Sequence, residues 1–436
     1  MDLTKNGFQT ECNKKVEINV YALICDTPAK SFVLNIKSHN GYYSCTKCKI
    51  RGKWIVRNRK KRSYITSRGI KRKISKSGCV CFPPSGKKEK LRTDEEMAKY
   101  NPNDEFQKGE NIFADIPRFG LVTCVPLDYM HLFLLGVVKR LIWLWRPRPI
   151  SEYRSWKAVE FRQFLLYTGP VILKGIIKDE MFNNFLALHV ATRILLSPKL
   201  VTISENIDYV EKLLENFVKN FSIIYGEKFV SPNIHNLPHI CNDVKKYGVL
   251  DNFSAFKFEN HMSFIKRLIR KPNQELQQLV RRSAEIEAIQ TPNYQEVNPV
   301  NILKMSHSKG LLLERDAGIV KQFHKLTTNS YTINCKTERD KCILLKNGII
   351  ALILNIVKYA DGKTFFIGKK LRQIDSLYKN PMDSKLFKIV TAFVEDHSLQ
   401  LYPIRDFRSK MWKMELDQNV IFCPLLHVES NPIENN

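Results

Sequence analysis

Asp26, Cys45, Cys48, His235, His239 and Glu259 follow one another as a carboxylate, a CxxC, an HxxxH and a second carboxylate. Two chemistries fit those residue types. Thiolates three apart on a tight turn, joined by imidazoles four apart on one side of a helix, can share a tetrahedral zinc. Carboxylates gathered from distant segments can hold the divalent ions of in-line phosphoryl transfer, a site that generally needs a third acid. Each residue also has a plainer reading. An Asp before a helix caps its amides, thiols among Tyr42, Tyr43 and Trp54 can be buried apolar groups, and a helical Glu usually pairs with Lys. His235 and His239 could be ordinary interface histidines. Asp128 and His131, three apart in PLDYMH, could bind a metal or an attacking group, or could simply satisfy each other at a helix start. Cys79 and Cys81 in GCVCFPPSG are rival ligands, though CxC spacing is less suited to one tetrahedral ion.

The elements that must place these groups are legible in outline. Val16, Ile18, Val20 and Ile24 alternate with polar or aromatic neighbours, which predicts a strand running into Asp26. Thr27 is expected to cap the next helix, with Pro28 in its first turn and Ala29, Phe32, Val33 and Ile36 as its buried face. Asn236 is expected to cap a helix with Pro238 early and His239 in its first turn. Around Glu259, the residues Phe258, His261, Met262, Ile265 and Leu268 recur at helical spacing, with Lys266, Arg267 and Arg270 between or just beyond them. A basic helix beside an acidic metal ligand would let a phosphodiester approach. The stretch from Lys47 to Arg92 includes Arg57, Arg59, Lys60, Lys61 and Arg62 and only one acid, Glu89. It reads as a basic loop that contacts phosphates, serves as a nuclear import signal or is simply solvated.

Residues 94–230 carry apolar positions at three and four spacing, in DYMHLFLLGVVKRLIWLW, AVEFRQFLLYTG, MFNNFLALHVATRILLSP and IDYVEKLLENFVKNFSIIYG, and are expected to be helical. If the CxxC and HxxxH share a metal, this block leaves and returns, and the ion staples its ends. Residues 291–309 read as a linker. From about Gly310 short β-rich runs are separated by Asn347-Gly348 and Asp361-Gly362, which predicts hairpins in a β-rich module over 310–430. No catalytic grouping falls there, so a packing or interaction role is expected, with its partner unidentified. The fold class expected is α+β.

The chain has 436 residues, 44% of them hydrophobic, and 70 Lys and Arg against 43 Asp and Glu. The net charge of +27 favours a polyanionic partner, nucleic acid before anionic membrane. No signal-peptide core begins the sequence, and the most apolar run, 129–145, is broken by Lys139 and Arg140; no membrane partner is expected. Eleven cysteines with pairs at ligand spacing fit reduced thiols and a metal better than a disulfide framework.

CDTPAKSF, GYYSCTKC, PLDYMHLFLLGVVKRL, WKAVEFRQFLLYTGPVILKG, NIHNLPHI and FENHMSFIKRLIRKP together resemble CACTA-like (En/Spm-type) transposase-derived proteins over about residues 15 to 285. The motif order is also similar to that of Transib-type and recombination-activating recombinases. The resemblance implies that Asp26 and Glu259 are the second and third acids of a DDE triad, and that Cys45, Cys48, His235 and His239 form a structural zinc site. It implies a partial RNase H-like core in residues 1–50, interrupted by the basic segment 51–93 and the α-helical insertion 94–230 and resumed over 231–290. Asp128 and His131 match a DxMH signature of the family. The family's first Asp has no counterpart before Lys15, so the expectation is a DNA-binding remnant, inactive in cleavage, with Mg2+ or Mn2+ bound only if the triad is completed. DNA is the expected partner, a homo-oligomer is possible and the nucleus is the expected compartment. The alternative is a zinc-stapled host interaction protein meeting RNA, chromatin or acidic partners.

Overall fold

Apolar residues recur at helical spacing as far as Ile289 and give way to alternation from Ile302, and the observed elements change type at the same place. The computed structural model describes residues 7–9, 15–56, 64–65, 71–72, 78–86, 89–145, 152–289, 301–314, 321–328, 331–394, 398–416 and 419–426. The class is α+β with a β-rich C-terminal module. One unit comprises residues 1–166 and 173–267, the other residues 167–172 and 268–436.

The first unit is built on helices. Helix Asp179–Leu195 is buried on nearly every side and packs on Ser204–Tyr225, whose buried Val210, Leu214, Phe217 and Phe221 form one stripe at three and four spacing. Burying each such side chain contributes about 1.5–3 kcal/mol. The long helix stops at Gly226, whose φ of 96° suits a residue without Cβ. Within this core His189 lies fully buried, its Nδ1 2.8 Å from the Leu165 carbonyl. Burial and the neighbouring Arg193 push its pKa down to about 3, so the imidazole is neutral. The run containing PLDYMH opens as a π-helix, Met130–Val138, and continues as α-helix to Trp145.

Strands in this unit are short. Among the described residues they form three antiparallel pairs: β1 (Phe8–Gln9) with β2 (Lys15–Val16), β3 (Lys53–Val56) with β6 (Gly78–Cys81), and β4 (Tyr64–Ile65) with β5 (Lys71–Arg72). The strand expected to run into Asp26 therefore ends at Val16. Alternation supplies two faces, but a strand exists only where a neighbour supplies ladder hydrogen bonds. After Val16 the segment makes isolated contacts instead, such as Leu23 N to Cys124 O at 2.8 Å.

The second unit is an antiparallel sheet of ten strands. β10 (Cys342–Leu345), β11 (Ile350–Lys358), β12 (Thr364–Ser376), β13 (Val390–Val394), β16 (Asn419–Pro424) and β15 (Phe407–Leu416) pair in that order, and β15 pairs back on β10 to close a six-stranded ring. Leu344, Ile350, Leu371, Val390, Met411 and Phe422, one from each strand, fill one core. The alternate residues Ile343, Leu345, Ala351 and Ile353 face a second core with Leu326 and Phe366, as a period of two requires. Asn347-Gly348 and Asp361-Gly362 form the expected turns, with both glycines at φ 86°. β7 (Ile302–His307) starts inside the stretch expected to be linker and pairs with β8 (Lys321–Thr327), while β9 (Thr332–Asn334) pairs with β8 and β14 (Gln400–Pro403) with β12. No helix of the described residues is long and apolar enough to cross a membrane.

Candidate functional site

Cys45, Cys48, His235 and His239 come together, with one ligand atom from each lying within 4.8 Å of the others. Such a set could hold a metal ion. Cys45 Sγ and Cys48 Sγ are 3.5 Å apart, Cys48 Sγ and His235 Nε2 3.3 Å, and His235 Nε2 and His239 Nε2 3.4 Å. The amides of Lys47 and Cys48 point at Cys45 Sγ at 3.4 and 3.3 Å, the arrangement that stabilises a thiolate. Burial pushes the Cys45 thiol up, but hydrogen bonds from Cys48, His235 and His239 outweigh it and hold the group well below the ordinary thiol range. Cys48 moves the other way, raised chiefly by sharing its proton with Cys45. The pair is therefore polarised toward negative charge on Cys45, and a bound cation would displace the thiol protons to solvent.

Lys47 fixes the turn between the two cysteines. It is buried, and its ammonium reaches Asp243 Oδ1 at 2.6 Å and the carbonyls of Val122 and Val125 at 3.0 and 3.3 Å. Asp243 in turn accepts the Leu127 amide at 2.8 Å. Arg92 donates to Cys45 O at 3.0 Å. Ile50, Val80 and Phe82 seal the thiols, and Phe82 stacks on the His235 ring at 5.5 Å. The histidines sit one element earlier than expected. Pro232 starts the first helix, so His235 falls in its last turn, and His239 precedes helix Ile240–Tyr247. Asn236 caps neither; its Oδ1 lies 3.1 Å from Cys45 Sγ. Cys79 and Cys81 are not part of this set; their sulfurs lie 3.4 Å from each other.

The second grouping centres on His131. Asp128, 4% exposed, accepts the amides of His131 at 2.9 Å, Met130 at 3.4 Å and Ala255 at 2.7 Å. It therefore caps both its own π-helix and the start of helix Phe256–Leu268. The same carboxylate meets His131 Nδ1 at 2.5 Å, leaving Nε2 aimed at Glu259 Oε1, 3.5 Å away. The hydrogen bond to Asp128, with the charges of Asp128, Glu259 and Asp26, raises the His131 pKa above the ordinary imidazole value against the effect of burial. Asp26 lines a cavity of about 330 Å³ with Thr27, His39, His131, Gly136 and Ser231. Gly136 permits this packing, since a Cβ there would come within 2.5 Å of Asn233 Nδ2.

Asp26, not Thr27, caps helix Thr27–Val33, accepting the Ala29 amide at 2.8 Å. Ile36 is buried as expected, but the helix itself is rotated from the expected register: Phe32 is 85% exposed and Ala29 is exposed, while Lys30 and Ser31 are buried. The reason is Lys30, whose ammonium turns inward to the Pro126 carbonyl at 2.8 Å. Burial lowers its pKa to about 8. Lys266, Arg267 and Arg270 are exposed as expected. Arg57, Arg59, Lys60, Lys61 and Arg62 lie outside the described residues.

Residues 306–425 match the family model Domain of unknown function (DUF8592). The match covers most of the C-terminal sheet and none of the residues just described. No curated protein and no solved structure matches the chain.

Proposed function

We propose that this chain is a transposase-derived DNA-binding protein that holds a structural zinc and acts in the nucleus. The observation that carries the reading is His131, which lines one cavity with Asp26 and whose Nε2 lies 3.5 Å from Glu259 Oε1, so that two carboxylates 233 positions apart in sequence act on one imidazole. A raised imidazole pKa between carboxylates suits a site that approaches a phosphodiester and its divalent counterions. The exposed Lys266 and Arg267 at the far end of the Glu259 helix and the net charge of +27 favour the same polyanion. Zinc is the metal the donor set fits. With Zn–S near 2.3 Å and Zn–N near 2.05 Å, tetrahedral edges are about 3.8 Å for S–S, 3.6 Å for S–N and 3.3 Å for N–N, against the observed 3.5, 3.3 and 3.4 Å. Four protein ligands and an apolar seal are the mark of a structural site.

In this reading residues 1–50 correspond to part of an RNase H-like core, although the described residues there contribute a helix and no central sheet. Asp128 cannot serve as a third metal-binding acid, because backbone amides and His131 occupy its oxygens. The chain's role is therefore binding, with strand cleavage requiring a further carboxylate. The test is the salt-controlled affinity for a duplex carrying an element's terminal repeat against random duplex and RNA. Preference for the repeat supports the proposal. Equal affinity for all three would overturn it in favour of a zinc-stapled interaction protein, a reading to which the exposed Phe258 and Met262 on the Glu259 helix lend weight.

A further inference from the structure

Cys79 and Cys81 belong to β6, which pairs with β3 so that Lys53 faces Cys81, Trp54 faces Val80 and Ile55 faces Cys79. Directly opposed residues share a face of a sheet and successive residues alternate. Val80, with Phe82 beyond it, turns toward Cys45 and Cys48. Cys79 and Cys81 therefore occupy the opposite face, with Ile55 and Lys53. Two positions apart on a strand, their sulfurs have leaned together to 3.4 Å, close to the 3.5 Å between Cys45 and Cys48. Cys81 is 1% exposed and directs its thiol to the Lys228 carbonyl at 3.3 Å. Cys79 is half-buried, so the pair is reachable from one side.

We infer that Cys79 and Cys81 form a second metal site, distinct from the Cys/His cluster, that takes a soft monovalent cation of the cuprous type. The ligand count decides the class. Among the described residues only the Cys45/Cys48/His235/His239 group assembles three or more ligating side chains, so the second pair offers two sulfurs and no imidazole. Zinc asks for four ligands. Thiolate donors select Cu(I) among the soft ions, and Cu(I) accepts two of them. Cys79 can rotate about χ1 to widen the angle between the sulfurs, while Cys81 is held by its packing. On binding, two S–H bonds break, both protons pass to solvent, two Cu–S bonds form and no electron moves. The resulting complex carries one negative charge, and Lys53, directly across from Cys81, supplies a compensating ammonium.

The experiment is anaerobic titration of the full chain with Cu(I) against a chromophoric cuprous chelator, with zinc measured on the same samples before and after. Wild type is expected to withdraw about one copper per chain while its zinc content stays constant. Cys79→Ser, which changes the half-exposed member, and Cys81→Ser should each lose that copper with zinc unchanged, and near-UV circular dichroism of Cys79→Ser should match wild type. Copper uptake equal in wild type and Cys79→Ser would overturn the assignment. So would copper uptake matched by zinc release, which would place the ion at Cys45 and Cys48.

Discussion

The Cys/His cluster joins residues 45–48 to residues 235–239, the His131 grouping joins residues 128–131 to Glu259, and the two are built in opposite ways. Cys45 and Cys48 are 1% and 0% exposed and His235 and His239 are half-buried, whereas the His131 and Glu259 side chains are 30% and 56% exposed and His131 lines a cavity. Closed ligand sets stabilise folds and open ones meet substrates. The contrast teaches where a change should act: at the first site on stability, at the exposed Glu259 of the second on binding with the fold intact, while Asp128 and Asp26 also carry helix starts.

The largest effect should come from Cys48→Ser or a strong zinc chelator, which removes binding energy that is also folding energy. We expect a loss of several kcal/mol with zinc release in step, read by denaturant melts and metal analysis. Unchanged stability on chelation would erase the contrast. Next is Lys47→Met, which strands the buried Asp243 carboxylate and should cost about 3 kcal/mol in the same melts. Asp128→Asn should cost about 2 kcal/mol through weakened charge-assisted hydrogen bonds and should return His131 toward an ordinary titration, followed by its imidazole NMR shifts. The sign for wild type follows from the raised pKa. The His131 contribution is fully present below the unfolded imidazole value of 6.5 and is lost as pH rises through the higher folded value. Asp26→Ala should cost about 1 kcal/mol as a lost helix cap, while Asp26→Asn keeps the cap and should weaken only divalent-ion binding at the cavity, measured by Mn2+ relaxation. The smallest stability change is expected for Glu259→Gln, within about 0.5 kcal/mol for an exposed residue. A large loss there would show that Glu259 is also structural.

Much of this arrangement was legible in the residue order. CxxC and HxxxH spacing named the four ligands that meet, and the Asn-Gly and Asp-Gly turns located two hairpins of the sheet. Periodicity failed where a charged residue found a buried partner. Lys30 reversed the helix face it lies on, and Lys47, between two cysteines, gave no sign of its bond to Asp243. The strand read toward Asp26 failed for a related reason, since pairing depends on a neighbour that no local pattern encodes. His39, a wall of the cavity, carries no motif at all.

Asp128 also bears on what such a chain can lose over time. Its carboxylate starts two helices before it touches His131, so selection for a folded protein alone is enough to retain it and the imidazole's orientation with it. Asp26 is under similar protection through its cap, but Glu259 is not. Under selection for the fold alone, substitutions should therefore accumulate at Glu259 before they accumulate at Asp128.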